Sequence, residues 1–503
     1  MSTRMLRLGP FRTSLLGVMT LAAVGALSVP GVGTAVGTAN ASNAGGTVLQ
    51  TNLVSDLPGV ADVPDPNLVN PWGISESGGS PFWISDNNAG LSTLYLVPGA
   101  NNAPVSINPL AVNIPTPVSS TSGAPTGTVF NLGSSSGAFP VTGPNKSGVT
   151  TTAPSLFLFA TEDGTIVGWN PAIDPTKQFS GPNGVSNNAV IAINNSGNNF
   201  TNPDPAQQTG AVYKGLAIAT SPTPIVTGDA SSTALLYAAN FRAGTVDVYD
   251  GSFTKVTTLP AGAFTDPALP AGYAPFGIQV LNGKVYVTYA LQNATKHDDV
   301  AGPHHGFVDV FNVDGTPGLA GNNVRLISGG PLDSPWGLAI APVGFAGLSA
   351  PGGDPVLAVG NFGNGKIHAF DANNGTPLGA LKDPDGEPIQ IDGLWALKVG
   401  NGGAGGALNT VYFTAGPFGE THGIFGSLST VAPGTPEGSA EAQWVQANQD
   451  LVQLDEQRLA SDLASGAPAA VIKQDVKALS VDSAKLSDVA QAFAADAAAD
   501  ATP

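Results

Sequence analysis

Cysteine is absent from this chain, and charged residues make up only 11% of it. Without cysteine there is no disulfide framework, no thiolate metal centre and no Cys nucleophile. Cations are scarce as well: 18 Lys and Arg stand against 36 Asp and Glu, a net charge of −18. No basic cluster interleaves with aromatics, so a nucleic-acid surface is excluded. Beyond the N-terminal region no run is apolar for long enough to span a bilayer. A nucleophile elbow, a Walker loop and a dinucleotide fingerprint are missing, and the Gly-x-Gly pairs that occur belong to turns.

What is present begins with an export-like start. Arg4, Arg7 and Arg12 precede an apolar run from Leu15 to Val29, and Ala39-Asn40-Ala41 offers a small-x-small cleavage site. The run is short and contains glycine, which favours a cleaved signal peptide (1–41) over a membrane anchor. Cleavage removes three arginines and no acids, leaving 15 basic residues against 36 acidic ones, a net charge of −21. Such a surface repels nucleic acid and anionic lipid and attracts cations. The expected location is secreted, extracellular or periplasmic, with no transmembrane anchor after cleavage. Stability in that setting rests on core burial and on any bound metal, since disulfides are unavailable to the chain.

The central feature is a recurring phrase, a bulky or small residue, then Gly, then an apolar pair. It reads Pro71-Trp72-Gly73-Ile74, Pro125-Thr126-Gly127-Thr128, Tyr213-Lys214-Gly215-Leu216, Pro275-Phe276-Gly277-Ile278, Pro335-Trp336-Gly337-Leu338 and Asp392-Gly393-Leu394-Trp395. The glycines at 73, 127, 215, 277, 337 and 393 are 54, 88, 62, 60 and 56 residues apart. A near-constant period with one stretched unit marks an array of equivalent supersecondary units. Each phrase is followed by strand, tight Gly turn, strand, as in Leu235–Asn240 then Gly244–Asp250, or Val356–Asn361 then Gly365–Asp371. Apolar residues alternate in the second of these strands, the pattern of a half-buried antiparallel strand.

With the Gly phrase as inner strand and a variable outer strand, each unit is a four-stranded antiparallel sheet. Six of them around an axis predict an all-β fold, a six-bladed β-propeller over 42–432. Glycine suits the inner strand because blades crowd near the axis, and the Trp or Phe before it is expected to wedge between neighbouring blades. The sixth unit lacks an outer strand, while Thr47–Val54 is an orphan upstream of the first. That segment is predicted to complete the last blade and close the ring without an open edge.

At Asn70-Pro71-Trp72-Gly73-Ile74, Tyr237–Gly244, His297-Asp298-Asp299-Val300 and His422-Gly423-Ile424-Phe425-Gly426, the chain resembles an uncharacterised family of exported bacterial six-bladed propellers. More distantly it is similar to NHL-repeat propellers and to lactonase-type propellers with a metal in the central channel. The near resemblance implies fold and export. The distant lactonase group implies a metal site of carboxylates and amides, whose ligands have no residue-by-residue match in this chain.

After Pro433 the composition shifts to Ala, Gln and Asp. Val445, Val452 and Leu459 recur every seven residues, as do Ile472, Leu479, Leu486 and Phe493, with a break at Gly466-Ala467-Pro468. This predicts an acidic, Ala-rich α-helical hairpin over 433–503. It is read as folding on itself or on the propeller; the functional alternative is that the tail mediates self-association.

Candidate chemistry gathers first at His297, Asp298 and Asp299, followed by His304 and His305, in an insertion of the fourth blade. Imidazole and carboxylate this close suit a divalent cation such as Ca or Zn, or an acid/base pair. The bland reading is that they order a loop. Glu420 and His422 form a second group in the matching hairpin of blade six. Glu162-Asp163, Asp86-Asn87-Asn88, Asn240 and Asn361 sit in equivalent hairpins and are read as turn makers. Inner-strand residues Asn70, Thr126, Lys214, Ser334 and Asp392 are placed to face the channel, with Lys214 and Asp392 as a candidate buried ion pair. Asn70, Lys214, Asp392, Glu420 and His422 are therefore the candidate ligand-binding residues. Trp72, Phe276, Trp336 and Trp395 are read as packing.

Two function classes follow. The first is a secreted or cell-surface propeller that binds an unknown protein or a small-molecule or carbohydrate ligand. The second is a metal-dependent, lactonase-like hydrolase or lyase acting at the central channel. Convergence of these polar side chains at one channel mouth favours the second; dispersal in separate hairpins favours the first.

Overall fold

The computed structural model describes residues 47–99, 104–118, 122–227, 230–384, 386–430 and parts of 452–483. Among them the strands form seven sheets: six blades, within each of which successive strands pair antiparallel, and one inserted two-stranded hairpin. Blade 1 runs Pro71–Ser75, Phe82–Asp86, Leu91–Leu96, Ser106–Asn113; blade 2 runs Pro125–Phe130, Phe157–Thr161, Thr165–Trp169, Val190–Asn194. Blade 3 comprises Tyr213–Thr227, Ala230–Asn240 and Thr245–Asp250. Blade 4 is Tyr273–Leu281, Lys284–Leu291, Phe307–Phe311, Arg325–Ser328, and blade 5 is Pro335–Ile340, Val356–Asn361, Ile367–Asp371, Pro377–Ala380. Blade 6 takes Leu394–Val399, Thr410–Ala415 and Ile424–Thr430. Inner strands touch in sequence from blade 1 to blade 6, and blade 6 touches blade 1 again, so the ring is closed.

Closure uses the N-terminal segment, as its sequence predicts. Val48–Ser55 pairs antiparallel with Ile424–Thr430, from Val48 opposite Thr430 to Ser55 opposite Ile424. The backbone groups of the last blade thus find partners from the opposite end of the chain. The stretched second unit is explained by an inserted hairpin, Pro140–Pro144 with Thr150–Pro154. Blade 3 departs from the four-stranded expectation: only an isolated bridge between Tyr249 and Lys255 stands where its outer strand begins.

The half-buried strand pattern is also overturned. Phe157–Thr161 and Thr165–Trp169 are buried at every residue. Blades stack face to face, so both faces of a middle strand are covered. Six apolar clusters lie between successive blades, one per interface. Between blades 1 and 2, for example, Trp83 stacks on Phe157 with ring centroids 3.9 Å apart.

Glycine in the inner strand is dictated by close approach. A Cβ on Gly127 would lie 2.2 Å from the Leu216 nitrogen of blade 3, and one on Gly277 would lie 2.2 Å from the Trp336 carbonyl of blade 5. The equivalent residue of blade 6 is Ala396, which follows Trp395 as Gly337 follows Trp336. Gly393 is therefore three residues off the repeat. It corresponds instead to Asn70 and Ser334, and all three share a left-handed backbone, with φ of 66°, 49° and 45°.

The aromatic residues that four of the six repeats carry do not wedge between neighbouring blades, as the sequence suggested. Trp72, Phe276, Trp336 and Trp395 gather with Phe241 and Phe362 in a seventh cluster on the axis. Trp72 and Trp336 belong to non-adjacent blades, yet their rings meet edge-on at 6.1 Å, and Trp72 stacks on Trp395 at 3.5 Å. These rings plug the channel.

The signal segment 1–41 lies outside the described residues. So does most of 433–503; among its described residues, 454–459 and 475–480 are helical. Gln457 donates to the Pro58 carbonyl at 3.1 Å, and Arg458 pairs with Asp392 and lies over the Phe418 ring at 5.2 Å. This part of the tail rests on blade 6.

Candidate functional site

The residue before each inner-strand glycine points to the axis. Around the ring it is Trp72, Thr126, Lys214, Phe276, Trp336 and Trp395. Lys214 thus occupies a position that four blades give to an aromatic. Its carbonyl accepts from the Trp336 indole at 2.9 Å, which anchors its backbone to the plug. Its ammonium lies 5.2 Å from the Trp72 ring centre and 6.0 Å from that of Phe241. A desolvated cation over aromatic faces gains from their quadrupoles, yet full burial of an ammonium requires a carboxylate.

Two carboxylates answer it. Lys214 Nζ donates to Glu162 Oε1 from the blade 2 hairpin and to Asp298 Oδ1 at 3.3 Å from the blade 4 insertion. The Lys214 side chain is 3% exposed, Glu162 14% and Asp298 58%. Asn87 of blade 1 donates to Glu162 Oε2 at 3.0 Å. His297 Nδ1 lies 2.7 Å from Asp298 Oδ1, and Asn293 donates to Asp298 Oδ2 at 3.3 Å. On the other side of the mouth, Asn70 Nδ2 donates to Glu420 Oε2 at 2.8 Å while the side-chain Oδ1 of Asn70 accepts from the Trp395 indole at 3.0 Å. Asn88 donates to the Glu420 backbone carbonyl at 2.6 Å.

Loop topology explains the meeting. In every blade the turn between the second and third strands and the segment leading into the inner strand emerge on the same face of the ring. Asn87, Glu162, His297, Asp298 and Glu420 come from the first kind of connection, and Asn70 from the second. The blade 6 hairpin is wound tightly: Phe418, Gly419 and Glu420 have φ of 59°, 62° and 70°. Left-handed geometry at Phe and Glu costs of order 1–3 kcal/mol each, a strain that aims Glu420 at Asn70.

The electrostatics follow from burial and neighbours. Burial opposes ionisation of Glu162, but the Lys214 charge and the hydrogen bonds from Lys214 and Asn87 hold its carboxyl below the usual range. Asp298 is held down similarly, with burial outweighed by the His297 hydrogen bond and the Lys214 charge. Lys214 is raised, because its carboxylates outweigh desolvation. Asp299 and Glu420 go the other way. Burial lifts both, and neighbouring carboxylates add to the lift. Asp163, beside Glu162, is pushed up to about 6 by burial. The mouth therefore holds more carboxylate than its one lysine neutralises.

Glu162, His297 and Asp298 each present a ligand atom, and those atoms all lie within 4.8 Å of one another. That spread fits a single cation bound by one nitrogen and carboxylate oxygens.

The structure redistributes the residues picked from the sequence. Lys214, Asn70, Glu420, His297 and Asp298 do line the mouth. Asp299 lies beside it with a buried Oδ2 that has no hydrogen-bond partner, and Glu162 takes its place in the ligating group. Asp392 does not pair with Lys214; it binds Arg458 and accepts from the Phe418 N–H at 3.1 Å. Its side chain is displaced outward because the inner strand enters the axis three residues later than its glycine suggested. The His422 imidazole turns away to Asp56 at 2.7 Å, and only its backbone carbonyl faces the mouth, accepting from the Asn70 N–H at 3.0 Å. His304 and His305 bond the Gly330 and Val300 carbonyls. Thr126 bonds the Tyr213 carbonyl at 2.8 Å. Glu162 and Asn87 read as turn makers in sequence; the one signal for them is that their hairpin positions match those of Phe241 and Phe362 at the axis.

No family model matches the chain. Proteins of Acanthamoeba polyphaga mimivirus are similar to it. Uncharacterized protein R648 is 30% identical over 384 residues, covering 75% of this chain and 78% of the viral protein. Uncharacterized protein L690 is 30% identical over 383 residues, covering 75% and 84%. This chain belongs to their family. The relatives are viral, so they lend no support to the bacterial family that the sequence motifs resembled. Among solved structures, a streptogramin B lyase aligns at 12% identity over 77% of this chain and 98% of its own, with a TM-score of 0.34. A glucose dehydrogenase aligns at 13% identity over 73% and 98%, with a TM-score of 0.36. The fold assignment rests on the strand pairing described above.

Proposed function

We propose that this protein is a binding propeller whose ligand site is the carboxylate mouth of the axis, with a divalent cation held by Glu162, His297 and Asp298. The observation that carries the cation site is the meeting of these three side chains, from two different blades, within 4.8 Å beside a lysine that leaves carboxylate in excess. Asp392 and His422 turn away to Arg458 and Asp56, so the convergence is partial and binding is the preferred class. A set with one imidazole suits zinc better than calcium, which takes oxygen ligands. Asn70, Asn87, Asn88 and Glu420 complete a rim of amide and carboxylate groups suited to a hydroxylated or otherwise neutral ligand, since an anion meets net negative charge.

The test is metal analysis of purified protein, followed by thermal unfolding with zinc, calcium or chelator. A bound metal, a chelator-induced fall in Tm and loss of both in Glu162→Gln support the reading. Absence of metal, with no Tm response to added zinc or calcium, overturns it.

The same convergence favours a second reading, a metal-dependent hydrolase of lactonase type. Held by Glu162, His297 and Asp298, a cation would keep coordination positions open and would supply Lewis-acid polarisation of a carbonyl. Turnover of simple esters and lactones by the metal-loaded protein, abolished by chelator, would establish it. We further propose action outside the cytoplasm, supported by the arginine-led apolar segment and the Ala39-Asn40-Ala41 site. Mass spectrometry of the exported protein checks it, with a mature start at Ser42 as the expected result.

A further inference from the structure

We propose that the C-terminal helical hairpin is a proton-closed clasp: two buried layers of facing aspartates hold its helices together against blade 6, and loss of their protons releases it. This goes beyond the cation-binding reading and does not depend on it.

The sequence supplies an uncommon seam. Val452 and Leu459 on the first helix, and Ile472 and Leu479 on the second, recur every seven residues. Asp455 and Asp462, and Asp475 and Asp482, recur at the same interval. Such a period puts these positions on the contact face of a helix pair, where aspartate is rare unless paired. In an antiparallel hairpin a step forward on one helix is a step back on the other. The spacing therefore stacks the aspartates in two layers, Asp455 against Asp482 and Asp462 against Asp475.

The structure builds both layers. Asp455 is 7% exposed and Asp475 4%. Oδ2 of each is buried without a hydrogen-bond donor. The carboxyl within hydrogen-bond reach of Asp455 is that of Asp482, and for Asp475 it is that of Asp462. Two ionised carboxylates offer each other only acceptors, so they bond across the seam only when they share a proton. Asp455 faces Asp482 and Asp475 from the second helix and Arg458 from its own. Asp475 faces Asp462 and Arg458 from the first helix. Glu456, Lys473 and Lys477, the other charged residues described on these helices, are exposed. Arg458 is already paired with Asp392 of the propeller. Burial and the facing Asp482 push the Asp455 carboxyl up to about 7 against the Arg458 charge, and burial with Asp462 raises Asp475.

Opening and unseating are coupled through that arginine. Arg458 binds Asp392, which accepts from the Phe418 N–H, and it lies over the Phe418 ring. Once ionised, Asp455 and Asp475 compete with Asp392 for its guanidinium. The tail then loses its charged anchor on the left-handed turn that carries Glu420. The sign follows from the raised carboxyls. A solvated aspartate titrates near about 3.9, so closure is fully favoured below about pH 4, weakens as pH rises toward about 7 and changes little above that.

The test uses the full chain, whose lack of cysteine lets introduced cysteines carry spin labels at chosen sites. Glu456→Cys with Ser483→Cys spans the two helices, and Asn67→Cys with Glu456→Cys spans tail and propeller; all three positions are exposed. Pulsed electron resonance reads both distances in EDTA, which removes any cation from the mouth. Both should be short and narrow near about pH 5 and long and broad near about pH 8.5, with the closed-to-open ratio falling at least about a hundredfold. Asp455→Asn with Asp475→Asn places an amide opposite each remaining carboxylate, a donor that needs no proton. Asp462→Asn with Asp482→Asn does the same from the other side. Short distances at alkaline pH in either variant support the clasp. Wild-type distances that are long at the acid end or short at the alkaline end, or opening of both variants at alkaline pH, would overturn it.

Discussion

Replacing Lys214 with Met tests whether the axial ammonium is what permits carboxylates to sit at the mouth. Met keeps most of the volume and lies against the same Trp72 and Phe241 faces, so packing changes little. What changes is charge. Glu162 is 14% exposed and loses the cation that holds it ionised. Breaking a buried pair by removing one partner costs about 3–5 kcal/mol; Asp298, 58% exposed, is hydrated and adds little. The expected loss is about 3 kcal/mol at pH 7, read by urea unfolding.

The pH dependence gives the sharper check. In the native protein the Glu162 carboxyl lies below its ordinary value. Its contribution is therefore present above the unfolded-state pKa of about 4.3 and is lost as pH falls through the lower folded value. In Lys214→Met burial acts without the cation, so the carboxyl is raised. The penalty is then full at neutral pH and relieved as pH falls through that raised value. The two stability curves should converge on acidification from pH 7 toward about 4. Adding Glu162→Gln to the variant should recover most of the loss, a coupling of about 2–3 kcal/mol. A loss below about 1 kcal/mol, or one constant across that pH range, would refute the argument that Lys214 compensates a buried carboxylate.

Other perturbations probe the ring itself. Gly277→Ala places a methyl 2.2 Å from the Trp336 carbonyl, so about 1–3 kcal/mol should be lost in urea unfolding, whereas Ala396→Gly in blade 6 should cost at most about 1 kcal/mol. Asp163, pushed up to about 6, destabilises the fold above that pH and not below about 4, so Asp163→Asn should gain of order 1 kcal/mol at pH 7 and nothing near pH 4. Its Oδ2 accepts from the Ala124 N–H at 2.9 Å, a bond the amide oxygen keeps. Deleting 47–55 exposes the Ile424–Thr430 edge, and should replace cooperative unfolding with aggregation seen by light scattering. Removing 434–503 tests the tail: because described tail residues rest on blade 6, the elution volume should change only by the lost mass.

Much of the ring was legible because its causes are local. A glycine every sixty or so residues, bracketed by alternating strands, has few physical explanations other than repeated sheets crowding an axis. The orphan Thr47–Val54 betrayed the closure, since a sixth blade short of a strand leaves an edge to cover. Register was harder. Gly393 matched the phrase by letter, yet Ala396 holds its place, because that interface admits a methyl and its neighbour requires positive φ.

The site was legible only in part, for a reason of distance along the chain. Lys214 and Glu162 are 52 residues apart, and Asn70 and Glu420 are 350 apart. Nothing local tells Glu162, which joins the cluster, from Asp392, which binds the tail. Composition and periodicity determined the modules and their number. Only the closed ring decided which hairpin tips meet, because closure brings six equivalent positions to one axis and turns a lysine among tryptophans into a charge that distant carboxylates must answer.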